Sequence, residues 1–143
     1  EEALERHKLA LVNTIVKHGK ASEKAYICLK TGWILRGQTE ALDANAPDYG
    51  KKKKENENAE NQFLRNAYDG FVTARANESF PICGMDEMTV DYLLATLAMR
   101  FEEYDTAAKL LGSIVTSRTA NARIKDRAHD LKDTLMQKLK DKK

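Results

Sequence analysis

The sequence predicts an all-α fold, an array of antiparallel helix pairs built from about six helices. Three observations carry that reading. Apolar residues recur at spacings of three and four along most of the 143 residues. Only 2 Pro and 7 Gly punctuate the chain, and neither Pro falls inside an apolar-periodic segment. No segment alternates strictly at period two, so no sheet is assigned. With 42% hydrophobic and 32% charged residues, the chain reads as a single domain over 1–143. A domain of that length buries about two thirds of its unfolded surface.

A first helix is expected over residues 2–18, with Leu4, Leu11, Val12 and Ile15 on one face and Gly19 as its stop. Ser22 then stands as N-cap of a second helix over 23–37, which presents Ala25, Leu29, Trp33 and Ile34 and ends at Gly37. From 38 to 58 the apolar period disappears. Asn45, Pro47, Asp48, Gly50 and the lysine run 51–54 replace it, and the stretch reads as a long polar inserted loop. Phe63, Leu64, Ala67, Phe71 and Ala74 line a third helix over 59–77, and 79–84 is a connector. Asp86 caps a fourth helix carrying Met88, Leu94, Leu97, Ala98 and Phe101, which ends at Glu102 and Glu103. A fifth, over 105–117, buries Ala107, Leu110, Leu111 and Ile114. The sixth, over 121–140, buries Ile124, Ala128, Leu131, Leu135 and Leu139.

Composition narrows the function classes. Lys plus Arg total 24 against 22 Asp plus Glu, a net charge of +2 that gives no global pull toward a polyanion, so nucleic acid is not expected as a partner. The 2 Cys and 3 His contain no CxxC and no paired His at helical spacing, so no metal and no cofactor are expected. No apolar run reaches the roughly 18 to 20 residues of a membrane helix, and the chain reads as water-soluble and cytoplasmic. It opens on Glu1, Glu2, Ala3 and Leu4 in helical rhythm without an initiator Met, as a fragment of a longer chain would.

The helices repeat. Placing Arg36 on Arg100 sets Leu29 on Leu93, Trp33 on Leu97 and Leu35 on Met99; placing Ala67 on Ala107 sets Phe71 on Leu111 and Leu64 on Tyr104. The two offsets, 64 and 40 residues, differ by 24, which matches an insertion in the first pair. Ala67, Phe71 and Ala74, with Leu94, Ala95, Tyr104, Ala107 and Leu111, resemble a tetratricopeptide repeat across about 21–117. In that pattern small residues let helices approach and a large one fills the groove between them. Asp91 stands where an aromatic is usual, Ala98 replaces a usual Tyr, and Ile114 replaces a small residue. The resemblance implies a superhelical array.

A second resemblance covers most of the chain. Trp33 to Arg36, Gly84, Met85 and Asp86 ahead of Asp91, Tyr92 and Leu93, the turn from Arg100 to Tyr104, and the closing stretch 124–131 are similar to the C-terminal helical part of an uncharacterised bacterial family, domain of unknown function 2225. Where that family often reads Arg-Leu-Gly before the turn, this chain reads Arg100, Phe101, Glu102. The resemblance implies a Cys-rich, zinc-binding region upstream in family members, and it carries no known activity.

Arrays of this kind take an extended peptide or partner helix on their concave face. Helical spacing places Cys28, Gly32 and Arg36 from one repeat and Tyr92, Thr96 and Arg100 from the next on that face. Paired guanidinium groups grip carboxylates bidentately, and Tyr92 offers a rigid flat contact. The competing reading is structural: Arg36 and Arg100 bond inter-helix carbonyls or pair with Glu102, Glu103 or Glu40. The lysine run 51–54 is followed by Glu55, Glu57 and Glu60, and the last helix carries a local excess of four positive charges; both read as solvated faces. Cys28 and Cys83 with His7, His18 and His129 form no recognisable nucleophile pair. Trp33, Phe63, Phe71 and Phe101 read as core. The expected function is therefore a protein- or peptide-binding module without catalysis. The alternative is a structural or homodimerising domain that supports the upstream zinc-binding region.

Overall fold

Residues 20–141 are described by a computed structural model of the chain, and every helix or strand element among them is an α-helix. The five helices are α1 (Ala21–Glu40), α2 (Tyr49–Asn77), α3 (Glu87–Arg100), α4 (Tyr104–Thr116) and α5 (Ala122–Asp141). They correspond to the second to sixth helices expected from the sequence. The expected helix over 2–18 lies outside the described residues. The chain divides into two compact units, Glu1–Ala76 and Asn77–Lys143.

In the first unit α1 and α2 run antiparallel at close range. Ala25, Leu29 and Gly32 of α1 and Leu64, Ala67, Phe71 and Ala74 of α2 are buried. The approach depends on glycine at two places. A methyl group on Gly70 would lie 2.7 Å from the Ala25 Cβ, and one on Gly32 would lie 2.8 Å from Leu64 Cδ2. Both are well inside van der Waals contact, so the helix spacing requires a bare backbone there.

Three boundaries differ from the sequence reading. Gly37 does not end the helix: α1 runs on to Glu40, and Gly37 accepts the backbone N–H of Ala41. Ser22 is not its cap, because α1 begins one residue earlier, Lys20 holds the N-cap position and Ser22 lies buried in the first turn. The polar stretch 38–58 is mostly helix. Only residues 41–48 connect α1 to α2, which starts at Tyr49 and takes in all four lysines. Those residues show no apolar period because the first turns of α2 project into solvent, and Lys and Glu are good helix formers without any buried face. The 24 extra residues of the first pair thus mainly lengthen its helices.

In the second unit α3, α4 and α5 each contact the other two. Val90, Leu94, Ala95, Leu97, Ala98, Ala107, Leu111, Ile114, Ile124, Ala128 and Leu135 form its core, and Ile82 of the connector is also buried. The connector turns tightly: Ile82 and Met85 exchange both backbone hydrogen bonds at 2.9 Å, while Cys83 (φ 51°) and Gly84 (φ 76°) take the left-handed backbone of a two-residue turn. Asp86 then caps α3, accepting the Thr89 N–H at 2.8 Å. Its hydrogen bonds with the Thr89 side chain and backbone N–H hold its carboxyl below the usual aspartate value. Asn121 caps α5 in the same way, accepting the Ile124 N–H at 2.9 Å.

The α3–α4 turn closes on Glu102, where the resemblance implies a glycine. Glu103 donates its N–H to Ala98 O at 2.8 Å and Glu102 donates to Met99 O at 3.1 Å, a Schellman closure with Glu102 in the left-handed position at φ 60°. Glycine takes that conformation without a Cβ penalty, and a glutamate there carries a cost of about 1 kcal/mol.

Three substitutions test these geometries. Glu102→Gly should raise stability by about 1 kcal/mol, read from the urea midpoint at unchanged slope. Gly70→Ala should lower it, because overpacking of about 1–3 kcal/mol outweighs the roughly 1 kcal/mol of helix propensity that Ala adds. Gly37→Ala, with nothing within 4 Å of the new methyl, should raise it.

Candidate functional site

Cys28, Gly32 and Arg36 stand on α1 in the first unit, and Tyr92, Thr96 and Arg100 stand on α3 in the second. The two sets have different surroundings. On α1 the line through these residues turns toward α2 rather than toward solvent. Gly32 is buried beneath Leu64. Cys28 is half-buried, and burial pushes its thiol above the ordinary value, the opposite of what an activated nucleophile needs. Arg36 places Nε and Nη2 each 3.2 Å from Glu60 Oε2. The Glu60 side chain is 5% exposed and that of Arg36 is 46% exposed, so the guanidinium covers an otherwise inward-facing carboxylate.

That ion pair gives Arg36 a carboxylate partner on the facing helix. The sequence suggests Glu40, Glu102 and Glu103 as partners and reads Glu60 as a solvated charge beside the lysine run, yet Glu60 is buried. Glu60 lies on the buried face of α2 with Leu64, Ala67 and Phe71.

On α3 the strip is open. Val90, Asp91, Leu94, Ala95, Leu97, Ala98 and Met99 are buried, while Thr96 and Arg100 are exposed and Tyr92 is half-exposed. Residues 92, 96 and 100 recur every fourth position, so they share one stripe of the helix. The Thr96 hydroxyl donates to the Tyr92 carbonyl at 2.9 Å and is held along the helix axis.

Sequence reasoning also missed an aromatic cluster on α1. Trp33, expected in the core, is 45% exposed. The buried line of α1 runs through Ser22, Ala25, Leu29 and Gly32, and Trp33 lies at its edge beside Tyr26 and Lys30. The Lys30 ammonium sits 5.3 Å from the Tyr26 ring centre and 5.4 Å from that of Trp33, a double cation–π contact at i, i+4 and i+7. That spacing was visible in the sequence and marks the pair as neighbours on a surface. Phe71 is fully buried as expected, and Phe63 and Phe101 are half-buried.

The lysine run is occupied locally. Lys52 pairs with Asp48 at 3.1 Å and the Lys53 ammonium lies 5.8 Å from the Tyr49 ring centre. Cys83 is exposed on the connector turn. Among the described residues no group of three or more His, Cys, Asp or Glu is placed to hold a metal ion, and no helix is long and apolar enough to cross a membrane.

Removing either half of the Arg36–Glu60 pair takes this contact from the other. Arg36→Ala should cost about 1–3 kcal/mol, and the cycle with Glu60→Ala should show a coupling of about 1 kcal/mol in urea denaturation. A coupling of zero would assign Arg36 to the surface alone.

Neither a curated protein nor a solved structure matches the chain. A family model does, over residues 1–135. The chain belongs to DUF2225, a family of uncharacterised proteins conserved in bacteria.

Proposed function

We propose that the chain is a protein-binding module built of tetratricopeptide-like helix pairs, with Tyr92, Thr96 and Arg100 on α3 as its ligand-facing strip. One observation carries the reading: beyond its first turn α3 is buried through most of its circumference, and the outward stripe that remains bears an aromatic ring, a hydroxyl and a guanidinium. That combination suits a peptide segment with a carboxylate. Arg100 supplies a planar fork of donors, and Tyr92 supplies flat contact area at low entropic cost. The tight α3–α4 hairpin supports the repeat reading, with Leu94, Ala95, Ala107 and Leu111 buried at the positions that such repeats use for packing. Arg36 and Gly32 drop out of the binding set, since both serve the α1–α2 contact.

A second reading is a scaffold that supports a neighbouring element, such as an upstream zinc-binding region or a second copy. The exposed Tyr26, Trp33 and Ile34 of α1 favour it, because large apolar side chains on a surface mark a contact.

Isothermal titration of the whole chain against a panel of acidic peptides tests the first reading. Binding should weaken at least tenfold in Arg100→Ala and clearly in Tyr92→Ala, with helicity by circular dichroism unchanged, and it should fall with added salt. Affinity that survives both substitutions, or a panel with no binder, would move the assignment to the scaffold reading.

A further inference from the structure

Charge on α5 is sorted by side. Asp126, Asp130, Asp133 and Asp141 are the acidic residues of the helix, and at about 100° per residue they fall within about 80° of one another. Beside them, and free of any carboxylate, runs a second stripe of Lys125, His129, Lys132, Met136, Leu139 and Lys140. From Lys125 to Leu139 its members recur at alternating steps of four and three, and Lys140 stands one turn beyond Met136, so all share a face about 22 Å long. The buried Ile124, Ala128 and Leu135 bound that face on its other side. His129, Lys132 and Lys140 are exposed, and Met136 (52%) and Leu139 (37%) stay open to solvent between the last two lysines. Among the described residues no ion pair engages the three lysines.

We propose that this stripe docks on an anionic phospholipid surface, with α5 lying in the plane of the membrane, the lysines over the headgroups and Met136 and Leu139 entering the acyl boundary. Two properties single out that partner. Lysine ammonium groups on long stems act as point charges without a fixed fork geometry, which suits a diffuse plane of negative charge. The exposed apolar pair between them needs a partner that is anionic outside and apolar beneath, which a bilayer supplies and a phosphate backbone does not. The aspartates set which side of the helix faces the lipid, because carboxylates turned toward an anionic surface are repelled. With two apolar side chains and three lysines the attachment is reversible and weakened by salt. It uses none of Tyr92, Thr96 or Arg100, so it stands apart from the proposed peptide strip on α3.

Flotation of the whole chain with lipid vesicles reads the docking. Vesicles of phosphatidylglycerol mixed with phosphatidylcholine should bind the chain at least tenfold more tightly than phosphatidylcholine alone, and added salt should release it. Lys132→Gln with Lys140→Gln should weaken binding at least tenfold, and Met136→Ser with Leu139→Ser severalfold. Asp130→Asn should leave it as strong or stronger. All these positions are exposed, so helicity by circular dichroism should not change. No binding to the anionic vesicles, or binding unmoved by the lysine pair, would overturn the proposal. Full retention in Met136→Ser with Leu139→Ser would mark charge attraction alone and overturn it as well. A second measurement locates the face. With Cys28→Ser and Cys83→Ser in place, a polarity-sensitive dye attached through Met136→Cys should shift to the blue on anionic vesicles. The same dye attached through Thr134→Cys, on the far side of α5, should not, and equal shifts at both positions would rule out this orientation and the proposal with it.

Discussion

Close approach of helix backbones is the constraint on which the fold rests. In the first unit Gly32 and Gly70 remove the Cβ atoms that would otherwise collide with Leu64 and Ala25. Ala67 and Ala74 keep the same seam narrow, and Phe71 fills the volume between them. The second unit uses the same device, with Ala95, Ala98, Ala107 and Ala128 fully buried among Leu and Ile side chains. Alternation of very small and large residues sets the inter-helix distance and excludes voids. Burial of so many short side chains carries little rotamer entropy, because alanine and glycine have none to lose.

Polar groups are arranged around that seam in ways that follow from it. Glu60 is buried because α2 lies so near α1, and Arg36 then becomes its counter-ion, with both donors converging on one carboxylate oxygen. A single-oxygen contact with a half-exposed arginine gives a modest interaction that helps to satisfy a buried carboxylate. In the second unit the backbone itself closes the α3–α4 turn. Glu102 accepts a left-handed conformation so that Glu103 can reach Ala98 O. Strain at one residue is exchanged for two satisfied helix-terminal carbonyls.

Membership of a bacterial family without a described activity leaves the surfaces to argue function. They differ in kind. The outward strip of α3 is polar and cationic with one aromatic, suited to a carboxylate-bearing segment that binds and leaves. The outward face of α1 is aromatic and aliphatic, with Lys30 held between two rings, suited to an apolar element that stays. A domain can hold both.

The all-helical class, the Asp86 cap, the α3–α4 turn and the buried Ala67, Phe71 and Ala74 were legible in the sequence, because each depends on residues within a few positions of one another. Helix spacing of apolar residues states that a segment has a buried face, and capping chemistry states where it begins. The helical turns of α2 carrying the lysine run were not legible by that rule. A helix surrounded by water has no apolar period, so 49–58 read as loop although its Lys and Glu residues favour helix. The exposure of Trp33 and the partner of Arg36 were hidden for a related reason. Whether an arginine meets a ligand or a carboxylate 24 positions away, and whether a tryptophan lies inside a stripe or at its edge, depends on how the facing helix is placed. Local sequence determined the helices and several of their ends; packing between helices, which depends on residues far apart in the chain, decided which of their faces stay exposed.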